Sequence, residues 1–292
     1  MSIYFATYAT SKNDLLCNYI LANSIHEFAG NLSDIPLRIY VSSEIDIENE
    51  IERFAGLNAI FLQYPKARRF RYAFKSAAAS ACEADVKTGD VIWLDRHMIV
   101  LNPCESLLLS PLEQLAYRPP HLKILGASVD EPINEMWAMV YKIAGVDDSA
   151  RFPVFTEVDR KEIWIYIKGD HFSFRAEAGI MREWDALFNQ LAEHQDMKPF
   201  LDEGVKTYLH QIALTLAVLK TQNRNTLKLL PNLYGYPTGL HSKIEKQYQA
   251  NQLDQLYTAY HNFNASAKPP MPVSKQLTAW LKDKVNAYKT YI

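Results

Sequence analysis

The chain has 292 residues, of which 48% are hydrophobic and 22% are charged, so it can form one large α/β domain or two smaller ones. Its formal net charge of −2 excludes a global electrostatic attraction to nucleic acid or to an anionic membrane. We expect neither a secretory leader nor a membrane span, which needs ~18 apolar residues. The three scattered cysteines lack metal spacing and fit a cytoplasmic protein.

Strand-like and helix-like patterns alternate over the first third of the chain. Apolar runs predict strands at IYFATYA (3–9), PLRIYVSS (36–43), NAIFLQYP (58–65) and VIWLD (91–95). A helix is predicted after the first strand, capped by Asn13 or Asp14, and another at FKSAAASACEAD (74–85). This alternation indicates a parallel sheet wound with right-handed crossovers.

The remainder of the chain is less regular. We expect loops and a short helix at 116–137, and two strands or one bent strand at EIWIYIKGDHFSFR (162–175). Amphipathic patterns predict helices at 181–194 and 204–220. A loop rich in Tyr, Pro and Gly covers 230–241, and a linker at 266–274 precedes a final helix, Lys275–Tyr288.

The segment VIWLDRHMIVLNP (91–103) places two polar groups at the end of a buried strand. Asp95 and His97 are two residues apart, so on an extended segment their side chains point the same way and can share a divalent cation. A carboxylate with an imidazole suits Mn, Fe or Zn better than Mg. The alternative is an exposed turn after the strand. In parallel sheets, ligands bind outside the carboxyl ends of the strands.

Other candidate side chains each have an ordinary structural interpretation. Arg71 and Lys75 belong to a basic cluster, KARRFRYAFK (66–75), which fits phosphate or a solvated helix face. Asp130 lies in a predicted loop, where it can bind a sugar hydroxyl, act as a general base or be a plain surface acid. His210 precedes Gln211 in an apolar helix, where a histidine is most often a core residue. There is no Gly-rich phosphate loop and no HExxH.

In their order, these pieces resemble the GT-A type nucleotide-diphospho-sugar glycosyltransferases, in particular the branch with glycogenin and the lipopolysaccharide galactosyltransferases. VIWLDRHMIVLNP resembles the D-x-D motif with its following strand and proline, with Asp95 on the first acid and His97 on the second. YIKGDHFSFR (166–175) resembles the Y-F-N-A-G-x-x-x-x-R strand, and His210-Gln211 resembles the D-Q pair. His241 matches the metal-binding histidine, and the likeness runs from Ile3 to His261.

The resemblance implies a GT-A type, Rossmann-like mixed sheet flanked by helices. It implies a domain at 1–265, with a nucleotide-binding half at about 1–105 and an acceptor half at about 106–265, followed by the tail 266–292. The implied site residues fall into three groups. Nucleotide contacts are Thr7, Arg71, Lys75 and Asp95; ligands of a divalent metal, Mn or Mg, are Asp95, His97 and His241; catalytic, sugar or acceptor contacts are Asp95, Asp130, Asp170 and Gln211.

Three departures from the family pattern bear on activity. His97 replaces the second acid, Lys168-Gly169-Asp170 replaces Asn-Ala-Gly, and His210 replaces the acid of the D-Q pair. The altered motif can still hold a transition metal, or the metal has been lost and Lys and Arg stabilise the phosphates.

Three functions follow from the resemblance and its departures. The first is a glycosyltransferase that uses a nucleoside diphosphate-sugar and a saccharide or other hydroxyl acceptor. The alternative is a catalytically degenerate relative that binds a nucleotide, a glycan or a protein partner. A nucleotidyltransferase is disfavoured because ATYATSKND (6–14) lacks a Gly-rich basic loop.

Overall fold

The computed structural model describes residues 2–65, 70, 72–260 and 270–290. The strands are β1 (Ile3–Ala9), β2 (Leu37–Ser42), β3 (Ala59–Tyr64), β4 (Asp90–Leu94), β5 (Met98–Val100), β6 (Leu115–Tyr117), β7 (Pro153–Phe155), β8 (Glu162–Trp164), β9 (His171–Arg175), β10 (Leu227–Leu229) and β11 (Thr258–Tyr260). The α-helices are α1 (Lys12–Phe28), α2 (Glu48–Arg53), α3 (Ala73–Val86), α4 (Glu135–Ala144), α5 (Ile180–Glu193), α6 (Glu203–Thr221) and α7 (Lys275–Thr290).

Seven strands form a mixed sheet in the order β10-β6-β9-β4-β1-β2-β3. Strand β2 runs parallel to both β1 and β3, whereas β6 is parallel to β10 and antiparallel to β9. Two antiparallel pairs, β5 with β11 and β7 with β8, stand apart from this sheet. The predicted α/β fold with a mixed sheet and flanking helices is confirmed.

The strands and helices of the first third match the prediction closely. All five residues of β4 are buried, as expected for a strand covered on both faces. The predicted cap of α1 is wrong: the helix starts earlier, and the Ser11 side chain accepts the backbone N–H of Asp14. Helix α2 was not predicted, because its six residues, ENEIER, carry too few apolar positions to show a period.

Residues 162–175 form two separate strands rather than one bent strand. Strand β8 pairs with β7, whereas β9 pairs with β6, so the two do not continue one ladder. The backbone between them leaves the ladder because Ile165 donates to Phe152 O and Lys168 donates to Arg118 O. The final helix, predicted to end at Tyr288, continues to Thr290.

The chain forms two compact units, each built from several segments. Unit 1 comprises Met1–Ser2, Ala67–Val91 and Leu109–Leu229, and unit 2 comprises Ile3–Lys66, Ile92–Leu108 and Leu230–Ile292.

In unit 1, helix α5 packs against both α3 and α6. Its buried residues recur every three or four positions, which places them on one face of the helix: Ile180, Met181, Trp184, Leu187, Phe188 and Leu191. A buried carboxylate, Glu83 of α3, accepts the backbone N–H groups of Met181 and Arg182 at 3.0 and 3.1 Å. Glu83 therefore satisfies donors in the first turn of α5, which no intrahelical acceptor reaches.

In unit 2, helix α1 packs against β1, β5 and the C-terminal helix α7. Hydrogen bonds from two side chains of α7 join this helix to α1 and to α2. The Trp280 indole donates to Glu27 at 2.6 Å, and the Tyr288 hydroxyl donates to the buried Glu50 at 2.9 Å. The last helix is therefore part of this unit's core.

We expect the Glu83→Ala substitution to lower the free energy of unfolding by about 2 kcal/mol, since it leaves two N–H groups of α5 without their acceptor. Urea denaturation measures the change. Glu193→Ala, at the exposed end of the same helix, is the matched control and should change the stability by less than about 0.5 kcal/mol. Equal effects of the two substitutions would contradict the role assigned to Glu83.

Candidate functional site

Asp95 closes a tight turn between β4 and β5. Its carbonyl oxygen accepts the backbone N–H of Met98 at 2.8 Å, and its Oδ1 accepts the N–H of His97 at 3.2 Å. Asp side chains commonly bond the backbone two residues on in this way. The prediction of an extended segment is therefore wrong, and the argument that Asp95 and His97 point the same way does not hold for a turn. Asp95 is buried, whereas His97 is partly exposed.

Tyr8, near the end of β1, contacts two side chains of this turn, Asp95 and Arg96. Its hydroxyl donates to Asp95 Oδ2 at 3.3 Å and accepts a hydrogen bond from the Arg96 guanidinium. The guanidinium carbon also lies 4.8 Å from the centre of the Tyr8 ring, a cation–π contact. Because Tyr8 and Asp95 touch, β1 and β4 end at the same edge of the sheet, as the sequence predicted for a ligand-binding edge.

Arg96 has a carboxylate partner, Asp14 of α1. Arg96 Nε lies 2.7 Å from Asp14 Oδ1, and both side chains are mostly buried. Asp14 Oδ2 accepts from the backbone N–H and the hydroxyl of Thr10, each at 2.8 Å. We call Tyr8, Asp14, Asp95 and Arg96 the turn network.

His97 lies beside a buried thiol and an aromatic ring. Its Nδ1 is 3.8 Å from the Cys17 sulfur, and its ring centre is 5.7 Å from that of Tyr260. Burial, and then the charge of Asp14, raise the pKa of the Cys17 thiol to about 12. The thiol therefore stays protonated at neutral pH and is a weak donor rather than a thiolate ligand.

The predicted metal ligands do not form a metal site as they are placed. His241 Nδ1 lies 2.9 Å from the Tyr236 hydroxyl. Both oxygens of Asp95 accept internal hydrogen bonds. Within the described part of the chain, no group of three or more His, Cys, Asp or Glu side chains has the geometry to hold a metal ion. The donor set of Asp95, His97 and His241 thus does not fit a resident Mn or Mg ion.

Two further residues, Thr7 and Arg71, are predicted from the sequence to contact the nucleotide. Thr7 is fully buried, and its hydroxyl lies 3.4 Å from Asn18 Oδ1 of α1. Arg71 lies outside the described residues. Their contact with a nucleotide stays a prediction.

In unit 1, Lys75 and Asp170 form a buried ion pair. Lys75 is 1% exposed; its ammonium lies 2.8 Å from Asp170 Oδ1 and donates to Gly169 O at 3.2 Å. Burial alone would raise the pKa of Asp170, but the charges of Lys75 and Lys168 hold it well below its usual range. Lys75 was predicted to bind nucleotide; in the structure it is the counterion of Asp170.

The ion pair continues into a row of buried ionisable groups. Lys168 Nζ lies 2.6 Å from His121 Nε2, and His121 Nδ1 lies 2.9 Å from Glu157 Oε2. Arg118 completes the row at 3.1 Å from the same Glu157 oxygen. Since a neutral imidazole donates from one nitrogen and accepts at the other, Glu157 fixes the proton on Nδ1 and Lys168 donates to Nε2. We call the set of Lys75, Asp170, Lys168, His121, Glu157 and Arg118 the buried ionic row.

The segment at Gly169 passes closely over His210 and Gln211 of α6. A Cβ at Gly169 would lie 3.0 Å from His210 Cδ2 and 3.6 Å from Gln211 Cγ, so a larger residue would require the His210 ring to shift by a few tenths of an ångström. His210 is 3% exposed and packs against Tyr72, with 4.6 Å between ring centres and the ring planes tilted by 37°. The structure therefore places His210 in the core and brings Gln211 beside Gly169, the residue before Asp170.

Asp130 lies outside both the turn network and the buried ionic row. It is exposed in a turn, and the adjacent Glu131 pairs with Lys123 at 3.1 Å. Its contact with a sugar or acceptor stays a prediction.

Sequence reasoning identified only Asp95 of the turn network as a site residue, and only Lys75 and Asp170 of the buried ionic row. Arg96 stands inside the recognised motif, so its position was a usable signal, and Asp14 was considered only as a helix cap. Arg118, His121 and Glu157 carried no signal, because the contacts of His121 bridge 36 and 47 positions in sequence.

The buried ionic row makes the stability of the chain depend on pH. Burial, and then the charge of Lys168, lower the pKa of His121 from 6.5 to about 4. Between these values the unfolded chain binds a proton that the folded chain does not, so the free energy of unfolding falls as the pH falls.

We expect His121→Gln to reduce this slope by about 1 kcal/mol per pH unit between about pH 6 and pH 4.5, as measured by denaturant titrations over that range. His26→Gln, at the exposed end of α1, is the control and should leave the slope unchanged. A slope for His121→Gln that equals that of the parent would show that His121 is not held neutral.

A scan against models of protein families finds none that matches the chain, and a search of curated proteins also finds no match. Among solved structures, the chain is similar to the galactosyltransferase LgtC, whose structure is a complex with donor and acceptor sugar analogs. The match covers 99% of this chain and 96% of that chain, with a TM-score of 0.50 and 11% sequence identity.

At this identity the likeness concerns the fold. No helix in the described ranges combines the length and apolar character that crossing a membrane requires. The order of strands and helices, together with the similarity along nearly the whole chain, shows a GT-A glycosyltransferase-like fold.

Proposed function

We propose that this chain binds a nucleoside diphosphate-sugar and transfers the sugar to a hydroxyl acceptor. The observation that carries the proposal is the contact between Tyr8 and Asp95, which joins the ends of β1 and β4 at one edge of the sheet. Ligands of open α/β sheets bind at such edges. The similar solved structure is a galactosyltransferase with donor and acceptor sugar analogs, which supports this class of substrate.

The reaction breaks the bond between the anomeric carbon and the diphosphate oxygen, and forms a bond from that carbon to the acceptor oxygen. Negative charge develops on the departing diphosphate, so the site must offer preorganised donors or cations to it. Thr7 and Arg71 are proposed nucleotide contacts, whereas Lys75 is the counterion of Asp170 and Asp95 holds the turn at the ligand-binding edge. Asp130, Asp170 and Gln211 are proposed to contact the sugar or the acceptor.

A second candidate is a catalytically degenerate relative that binds its ligand without transferring a sugar. Three observations favour it. Histidine stands at the second acid of the motif, and both oxygens of Asp95 serve internal hydrogen bonds. In unit 1, the Asp170 carboxylate is paired with Lys75, which weakens it as a proton acceptor.

We expect a screen of UDP-, GDP-, ADP- and CDP-sugars to contain at least one compound that raises the melting temperature of the chain by about 5 °C at a concentration of about 100 Kd. Asp95→Ala should abolish this shift, because it opens the turn that carries the motif. Asp34→Ala, an exposed substitution in the same unit, is the control and should keep the shift.

Release of free nucleoside diphosphate from the stabilising compound separates the two candidates. A transferase releases it, faster when acceptor saccharides are added, whereas a binding protein holds the compound intact. If no nucleotide-sugar raises the melting temperature, both candidates lose their support. If Asp95→Ala keeps the full shift, the ligand binds elsewhere.

A further inference from the structure

Arg96 occupies the middle of the altered motif, and its side chain is held within the turn network. Its guanidinium donates to the Tyr8 hydroxyl, lies over the Tyr8 ring and pairs with Asp14 at 2.7 Å. These three contacts fix the position of the positively charged guanidinium. The Arg96 side chain is 15% exposed. A cation placed in this way is preorganised and pays little entropy when it meets an anion.

The charge of Asp14 is not used by Arg96 alone, because the Asp14 carboxylate also accepts hydrogen bonds from other groups. Besides Arg96, Asp14 bonds the backbone N–H and hydroxyl of Thr10, and it stands in the first turn of α1. The amino end of a helix stabilises a carboxylate there. A guanidinium has five N–H donors in a planar fork, and the contacts with Asp14 and Tyr8 engage its Nε and Nη1.

The carboxylate that would ligate a metal has a different task in this chain. Asp95 Oδ1 accepts the His97 N–H, and Oδ2 accepts the Tyr8 hydroxyl, which itself accepts from Arg96. The Tyr8 hydroxyl thus links the Arg96 guanidinium to the Asp95 carboxylate by two hydrogen bonds. A metal bound to Asp95 would have to share these two oxygens with the hydrogen bonds from His97 and Tyr8.

We propose that Arg96 is the cation that binds the diphosphate of the ligand, and that this binding requires no divalent metal ion. Asp95 is then a positioning residue: it closes the turn and orients Tyr8, and through Tyr8 it fixes the guanidinium. Guanidinium groups bind phosphate oxygens in pairs, which suits a diphosphate. This inference rests on the proposed function, because it concerns the same ligand.

The test is calorimetric titration of the full chain with UDP, GDP, ADP and CDP, in EDTA and again in MnCl2. The nucleotide that binds should do so in EDTA with an affinity within about threefold of that in MnCl2. Arg96→Gln should weaken it at least tenfold, which is about 1.4 kcal/mol. Arg96→Lys keeps the charge and should lose less. Arg224→Gln, exposed in unit 1, is the matched control and should bind as the parent does.

Each outcome decides the inference. Binding in MnCl2 that disappears in EDTA would overturn it and leave the proposed function standing. Binding in EDTA that Arg96→Gln does not weaken would also overturn the role of Arg96. If none of the four nucleotides binds under either condition, the proposed function fails together with the inference.

A second measurement protects the result from a folding defect. Circular dichroism must show that Arg96→Gln retains the parent's helix content. If it does not, nucleotide binding is measured with Arg96→Lys instead. A total loss of binding in a folded Arg96→Lys would contradict the expectation that the positive charge at this position binds the diphosphate. Titration of the parent with MnCl2 alone should give no binding heat. Stoichiometric Mn uptake that Asp95→Asn removes would show that Asp95 is a metal ligand.

Discussion

The local geometry of the candidate site depends on how the Asp95 carboxylate is used. It accepts the N–H of His97 within the turn that follows β4, and the hydroxyl of Tyr8 near the end of β1. A buried carboxylate without partners would cost several kcal/mol, so the two donors are what allow it to lie there. The same bonds orient Arg96, because the Tyr8 hydroxyl that donates to Asp95 also accepts from the guanidinium. The acid, the phenol and the cation thus form one arrangement.

The buried ionic row of unit 1 also consists of buried polar groups that are paired with one another, and it has more members. Lys75, Asp170 and Lys168 alternate in sign, and His121 joins Lys168 to Glu157. Breaking one pair in such a row leaves an unpaired buried charge, which is far costlier than losing a surface ion pair. Buried ionisable groups with shifted pKa values concentrate at functional sites, which supports a role for this row beyond stability.

Sequence patterns were sufficient for most of the fold and for the location of one cluster. The strands IYFATYA and VIWLD are dense in apolar residues, so burial alone identifies them, and β1 matches its predicted range. The motif was located because it follows a buried strand. Its contacts were not predictable, because one hydrogen bond of Asp95 comes from Tyr8, 87 positions away in sequence. The contacts of His121 and Arg118 are equally distant in sequence, and only the folded chain brings them together.

The most direct test of this account is a crystal structure of the chain grown with a bound nucleoside diphosphate and MnCl2, with data collected at the manganese absorption edge. The account predicts a diphosphate oxygen within hydrogen-bonding distance of the Arg96 guanidinium and no anomalous peak beside Asp95. A manganese peak bridging Asp95 and His97 to the diphosphate would contradict it.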